Sequence, residues 1–367
     1  MGRRVCYVTG TRAEFGLMKS TLRAIQAQAG LNLQLVVTGM HLSRAHGRTI
    51  DQIRRDGWKV DATVPWGDSK DKDDLAAIVG GATAAFARVF ALLDPDIVLV
   101  CGDRVEPFAA ASAAHVAGRV VAHVHGGDRA LGQVDDALRH AISKLAHLHF
   151  CATKLSHERL FRMGEDRFRI HRVGTPGVDG IRSIARENPH DPVDAVVAFH
   201  PESADEVQEY RRAKLLLKAT RSAIKGSIVI VHPNNDPGWR GVAKAIAECD
   251  GAAGIEIVRD VPRDRFIGLL ASTRVLIGNS SAGIIEAASL GTRVVNVGDR
   301  QLGRERSANV IDVGWTAPAI ERAIRRASAL KFAGRNVYGG GKAGERIART
   351  LSDVVLDEKL RRKLIRY

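Results

Sequence analysis

Aromatic residues make up only 5% of this 367-residue chain, and cysteine occurs four times, at Cys6, Cys101, Cys151 and Cys249, with no CxxC pair. That spacing excludes a zinc ribbon and a disulfide framework and predicts buried, reduced thiols. Few aromatics leave no stacking platform for single-stranded nucleic acid, and no nucleic-acid-binding motif is present. The formal charge of +14, from 55 Lys and Arg against 41 Asp and Glu, therefore reads as a basic surface suited to an anionic small molecule. No apolar run approaches the roughly 20 residues of a membrane span. The opening MGRRVCYVTG enters a strand directly rather than a secretory leader, which predicts a cytoplasmic protein without membrane contact.

What is present is a repeated grammar of short apolar runs, a Gly-containing turn and a helix. Arg4–Thr9 leads into Gly10-Thr11-Arg12, Leu33–Thr38 into Gly39-Met40-His41, and Ile97–Val100 into Cys101-Gly102-Asp103-Arg104. Val120–Val124 leads into the densest polar stretch, HGGDRALGQVDDALRHAISKLAHLHF, where His123 and His125 are expected on one strand face and Asp135-Asp136 opens a helix carrying Arg139, His140 and Lys144. Pro and Gly gather from Gly174 onward, after which the pattern restarts at Ala195–Phe199. The expected boundary lies near residue 180, giving domains 1–180 and 181–367. The tail from Ala317 is expected to be helical, its last helix able to cross back to the first domain. The fold class is α/β: two Rossmann-like, doubly wound domains facing each other across a cleft.

The second half centres on Arg274–Leu290, RVLIGNSSAGIIEAASL. Val275–Ile277 suits a buried strand, and Ser280 or Ser281 can cap the following helix, leaving the N–H groups of Ala282 and Gly283 for an anion. Glu286 falls just over one helical turn beyond, placed for a sugar diol. Asp103, His125 and Asp135 at neighbouring loop ends suit acid/base chemistry. The run His-Val-His-Gly-Gly-Asp also admits a metal reading, but it lacks a supported third ligand. His41 sits at a strand's carboxyl end, where open α/β sheets bind ligands.

These motifs resemble the hydrolysing UDP-N-acetylglucosamine 2-epimerases, the NeuC-like enzymes. The resemblance runs in order through Gly10–Glu14, Gly102-Asp103-Arg104, HGGD with DDALRHAISKLAHLHF, His200-Pro201, Pro233–Asp236, GNSSAGIIEA, GDRQLGRE at 298–305 and YGGGKAGERI at 338–347. It implies the GT-B arrangement, a UDP-sugar substrate, no cofactor and no metal; the apolar helices Leu75–Leu93 and Pro107–Ala117 can in addition support a homo-oligomer, a dimer or tetramer. It implies that UDP is eliminated to a glycal and water added, yielding free N-acetylmannosamine or its 2,4-diacetamido-6-deoxy analogue for sialic-acid-like sugars. By the resemblance Ser280 and Ser281 meet the diphosphate, Glu286 the ribose, and Arg12, Arg104, His200 and Asn234 surround the nucleotide. His41 lines the sugar pocket, and Asp128, Arg139 and Arg304 complete the substrate-binding set. Asp103 and Asp135 match acidic positions of the family. His125 stands where reference members carry a carboxylate, the loop Arg129–Val134 (RALGQV) is one residue longer than the shortest form, and Gly16 replaces a frequent Ser. A non-hydrolysing epimerase, a glycosyltransferase and a nucleotide-sugar binder without activity are the alternatives.

Overall fold

Short runs of β-branched and apolar residues buried on both faces build parallel strands, and the chain forms two sets of them. The computed structural model describes residues 2–44, 47–67, 72–129, 134–234, 236–259, 261–332 and 334–364. The first set is β1 (Arg3–Thr9), β2 (Leu31–Val37), β3 (Ala62–Thr63), β4 (Ile97–Cys101), β5 (Val120–Val124), β6 (Leu148–Cys151) and β7 (Ile170–Arg172). The second is β8 (Val193–Ala198), β9 (Ile228–Val231), β10 (Ile255–Val258), β11 (Thr273–Gly278), β12 (Arg293–Val297) and β13 (Val310–Val313). The pattern missed β3 and β13, which are short and flanked by polar residues.

The seven-stranded sheet runs β3-β2-β1-β4-β5-β6-β7 and the six-stranded sheet β10-β9-β8-β11-β12-β13, with all pairings parallel. Both are the doubly wound order, reversing direction of progress beside the first strand. The ligand-binding crevice of such a sheet opens at the carboxyl ends flanking that reversal, β1 and β4 in one sheet, β8 and β11 in the other. Helices cover both faces of the first sheet: Val5, Tyr7, Leu35 and Leu99 pack with Met18 and Leu22 on one side, Cys6, Val8 and Val100 with Phe86 and Phe90 on the other. In the second sheet Val197, Ile230, Ile277 and Val295 pack with Leu216, Val242 and Ile324.

The chain divides into two units, residues 1–179 with 341–367, and residues 180–340. The tail is not continuously helical: Ala317–Ala329 belongs to the second unit, and the helix Ala343–Asp353 to the first. Asp179 caps the latter, accepting from the N–H groups of Ala343 (2.8 Å) and Gly344 (2.7 Å). A Cβ at Gly344 would stand 2.8 Å from the Thr21 nitrogen, so the helix Arg12–Ala27 can approach this closely only against glycine.

The helix Lys72–Leu93 corrects a second expectation, because its segment Asp73–Leu93 is long and apolar enough, by length and composition, to cross a bilayer. Small Ala and Gly residues disguised it. Ala82, Phe86 and Phe90 on it are buried in the first core. Cys6, Cys101 and Cys151 are buried and Cys249 half-buried, all as free thiols.

Candidate functional site

In the first unit the segments after β4 and β5 converge on one guanidinium. Gly102, with φ of +82°, turns the chain out of β4 and presents Asp103, which pairs with Arg139 of the helix Val134–Leu145. Arg139 is only 8% exposed and also donates to the His125 carbonyl oxygen at 3.0 Å. Asp135, in the first turn of that helix, has its carboxyl raised by burial and then by the charge of Asp103, against the pull of Arg104 and Arg139. Arg104 points the other way from Asp103, to Glu106 at 3.2 Å. Glu106 is 1% exposed and lies beneath the β1 turn, where a Cβ on Gly10 would come within 2.9 Å of its Cγ.

His125 does not share a strand face with His123, because β5 ends at Val124 and His125 takes the left-handed conformation, φ +66°. That conformation is rare for a residue with a Cβ and marks a position held by its surroundings. Its N–H donates to Phe150 O at 3.0 Å, its Nδ1 meets Asp128 Oδ2 at 2.8 Å, and its Nε2 meets Thr175 Oγ1 at 3.1 Å. Burial alone would raise the Asp128 carboxyl. The hydrogen bond and charge of His125, with Arg139 and the Ser156 hydroxyl (2.5 Å), outweigh it and hold Asp128 at about 2. An ionised Asp128 only accepts, so His125 Nδ1 carries a proton directed at it. Residues 130–133 of the RALGQV loop lie outside the described residues.

His41 comes after β2, on the side of β1 away from β4. Its Nε2 meets Thr9 Oγ1 (3.1 Å) and its Nδ1 Thr49 Oγ1 (2.7 Å), and burial lowers it to about 4. It lines a cavity of about 470 Å³ with Arg12, Phe15, Gly16, Lys19 and Arg48, Arg12 being exposed at the start of its helix. Beside it, burial raises the Glu14 carboxyl to about 8 despite a 2.7 Å bond from the Tyr7 hydroxyl, the charge of Glu106 adding to the rise.

In the second unit the organiser is a buried amide. Asn279 Oδ1 accepts from His200 N–H and Asn279 Nδ2 donates to His200 O, both at 2.8 Å, tying the end of β11 to the end of β8. Its own carbonyl accepts from Gln301 (2.8 Å) and Arg300 (3.4 Å), in the loop after β12 that also holds Arg304. The Asn234 N–H donates to His200 Nδ1 at 3.2 Å, and burial lowers that imidazole to about 4. Asn235 lies outside the described residues.

The stretch after β11 departs from expectation in two ways. The helix is interrupted at Glu286, giving Ser281–Ile285 and Ala287–Leu290. The Ala282 N–H is taken by Ser280 Oγ (3.4 Å) and the Gly283 N–H by Ser280 O (3.1 Å), so neither is free for an anion. Glu286 meets Arg263 at 3.3 Å, and burial raises its carboxyl.

Sequence reasoning missed Thr175, Glu106, Asn279, Gln301 and the role of Asp128 as His125's partner. A polar residue directly after β11 was the available signal for Asn279, whereas Thr175 comes three residues after β7. Among the described residues no group of three or more His, Cys, Asp or Glu is arranged to hold a metal ion.

The profile of the UDP-N-acetylglucosamine 2-epimerase family matches residues 23–352. The chain is 38% identical to a UDP-N,N'-diacetylbacillosamine 2-epimerase (hydrolyzing) of Legionella pneumophila over 100% of both chains. It is 31% identical to a UDP-N-acetylglucosamine 2-epimerase of Neisseria meningitidis over 92% of this chain and 91% of that one. Among solved structures, a Neisseria meningitidis UDP-GlcNAc 2-epimerase bound to UDP-GlcNAc superposes with a TM-score of 0.78 at 19% identity, covering 95% of this chain and 99% of that one, which speaks for the fold. A family match over residues 23–352 and 38% identity across the full length of a relative lead to one conclusion: the chain belongs to the UDP-N-acetylglucosamine 2-epimerase family.

Proposed function

We propose that this chain is a hydrolysing 2-epimerase of UDP-linked 2-acetamido sugars, with a UDP-2,4-diacetamido-2,4,6-trideoxyhexose as substrate ahead of UDP-GlcNAc. The observation that carries the reading is the cluster of Asp103, Asp135 and His125 around Arg139. The name of the Legionella relative supports the choice of sugar.

In this reading a base removes the C2 proton while the C1–O bond breaks and its electron pair leaves with UDP, giving a glycal. Water then adds its hydroxyl at C1, and C2 is reprotonated on the opposite face, releasing a free sugar for sialic-acid-like synthesis. A positioned base and acid contribute ~10²-fold to 10⁴-fold. Asp103 is salt-bridged to Arg139. Asp135, raised by burial, is the better proton carrier. His125, with Thr175 on Nε2 and Asp128 on Nδ1, can pass a proton only by releasing the threonine. Arg12, Arg104, His200, Asn234, Ser280, Ser281 and Arg304 attend the nucleotide and Glu286 the ribose, with His41 on the sugar side.

Incubation with each UDP-sugar in D₂O, followed by NMR and mass spectrometry, tests the reading. The expected products are UDP and free sugar deuterated at C2. Intact UDP-sugar carrying deuterium would establish the non-hydrolysing reaction instead, and no turnover would favour a transferase or binder. A homo-oligomer is part of the proposal: Leu92 (81% exposed) and Val116 (87% exposed) lie on adjacent helices of the first unit, and light scattering should return a mass above one chain.

A further inference from the structure

His123 takes no part in the chemistry above, yet it touches the segments that carry it. It lies on β5 with no solvent exposure. Its Nε2 meets the carbonyl oxygen of Gly102, the residue before Asp103, at 2.7 Å. Its Nδ1 meets Ser143 Oγ at 3.2 Å, on the helix that carries Asp135 and Arg139. A Cβ built on Gly126, the residue after His125, would stand 3.0 Å from the same Nδ1 and 3.1 Å from Ser143 Oγ, so the third segment rests on this ring too.

Chemistry fixes the proton arrangement. A carbonyl oxygen only accepts, so Nε2 carries the proton. Burial keeps the ring neutral, lowering it to about 3. Nδ1 is then an acceptor, and the Ser143 hydroxyl must donate to it. The neighbouring imidazole, His149 in register on β6, is itself turned to Glu165 at 3.0 Å and does not compete.

We infer that His123 is a positioning residue. Its ring spans the Gly102–Asp103 turn and the Val134–Leu145 helix and sets the distance at which Asp103 meets Arg139 beside His125. The inference rests on reading that cluster as the proton-transfer site. A misplacement of ~1 Å in such a site costs ~10²-fold in rate.

The test uses three substitutions in the full chain. His123→Gln places an amide near the imidazole Nε2 and can still donate to Gly102. His123→Asn reaches only the Nδ1 side and Ser143. His123→Leu loses both. The expectation is that His123→Gln stays within ~10-fold of wild-type kcat while His123→Leu loses ~10²-fold with KM changed by less than about threefold, and His123→Asn falls between. The pH–rate limbs should keep their positions in His123→Gln, since a ring that stays neutral contributes no limb. In an Asp103→Asn background, His123→Leu should cost less than about threefold further, because the group being positioned is gone.

If the Leu variant fails to fold, the Gln and Asn variants carry the comparison. Equal kcat in wild type and the Leu variant would overturn the inference, as would equal losses in both Asp103 backgrounds. Loss of a pH limb in His123→Gln would also overturn it, making His123 a titrating participant. A wild type that turns over no UDP-sugar would instead overturn the reading beneath it, and the inference with it.

Discussion

The two units share one strand order and differ in the side chains set just beyond the strand ends. After β4 and β5 come Asp103, Arg104 and His125, held by Arg139, Glu106, and Asp128 with Thr175 respectively. After β8 and β11 come His200, Asn279 and Ser280, where neutral amides and hydroxyls stitch backbone to backbone. A scaffold that holds loop ends rigidly can place either kind of group there. The first unit gathers ionisable groups there, the second mainly fixed hydrogen-bonding groups.

Acid should break this comparison most severely. Burial holds His41, His147 and His149 at about 4 and His123 at about 3, all in the first unit, whereas in the second unit it holds His200 at about 4. An unfolded chain protonates histidine near 6.5, so stability is full above that pH and is lost as pH falls toward 4. Asp128 and Glu165, each held at about 2, withdraw further stability below about 4. Glu14 acts oppositely, its contribution present below 4.5 and lost as pH rises through about 8. Hydrogen exchange read peptide by peptide should therefore show the first unit opening at a higher pH than the second. Simultaneous opening would show that the depressed histidines do not control acid unfolding.

Asp103→Asn comes next. It should lower kcat by ~10³-fold while leaving UDP affinity within about threefold, measured by turnover and calorimetry. A parallel loss of UDP affinity would mean that the first unit also holds the nucleotide through this group. Smallest is Glu286→Gln, which should weaken UDP binding by ~10-fold and leave kcat at saturation nearly unchanged, because one hydrogen bond to a charged group is lost. A fall in kcat alone would move Glu286 to the proton-transfer side of the comparison.

Much of this architecture was legible because parallel strands buried on both faces leave continuous apolar runs, as at Ile97–Val100 and Val275–Ile277. β3 was not, since a two-residue edge strand leaves too few apolar positions to stand out, and β13 was missed as well. The break at Glu286 was invisible for a related reason: Ser281 to Leu290 contains nothing that stops a helix, and tertiary packing of the half-buried Glu286 against Arg263 accompanies the interruption.

The candidate residues were identifiable by type and by place at strand ends, yet their roles were not. His-Val-His reads as two equivalent imidazoles. In the fold His123 is sealed between Gly102 and Ser143, and His125 turns into the left-handed region to meet Asp128 and Thr175. Sequence by itself determined the α/β class, the two halves and the strand-end loops that carry the candidate residues, because strand burial and turn chemistry act over a few neighbouring residues. Only the tertiary structure decided which carboxylate is ionised, which imidazole is locked and which N–H is already taken. Those properties depend on desolvation and on partners far away in the chain, such as Ser156 for Asp128 and Thr175 for His125.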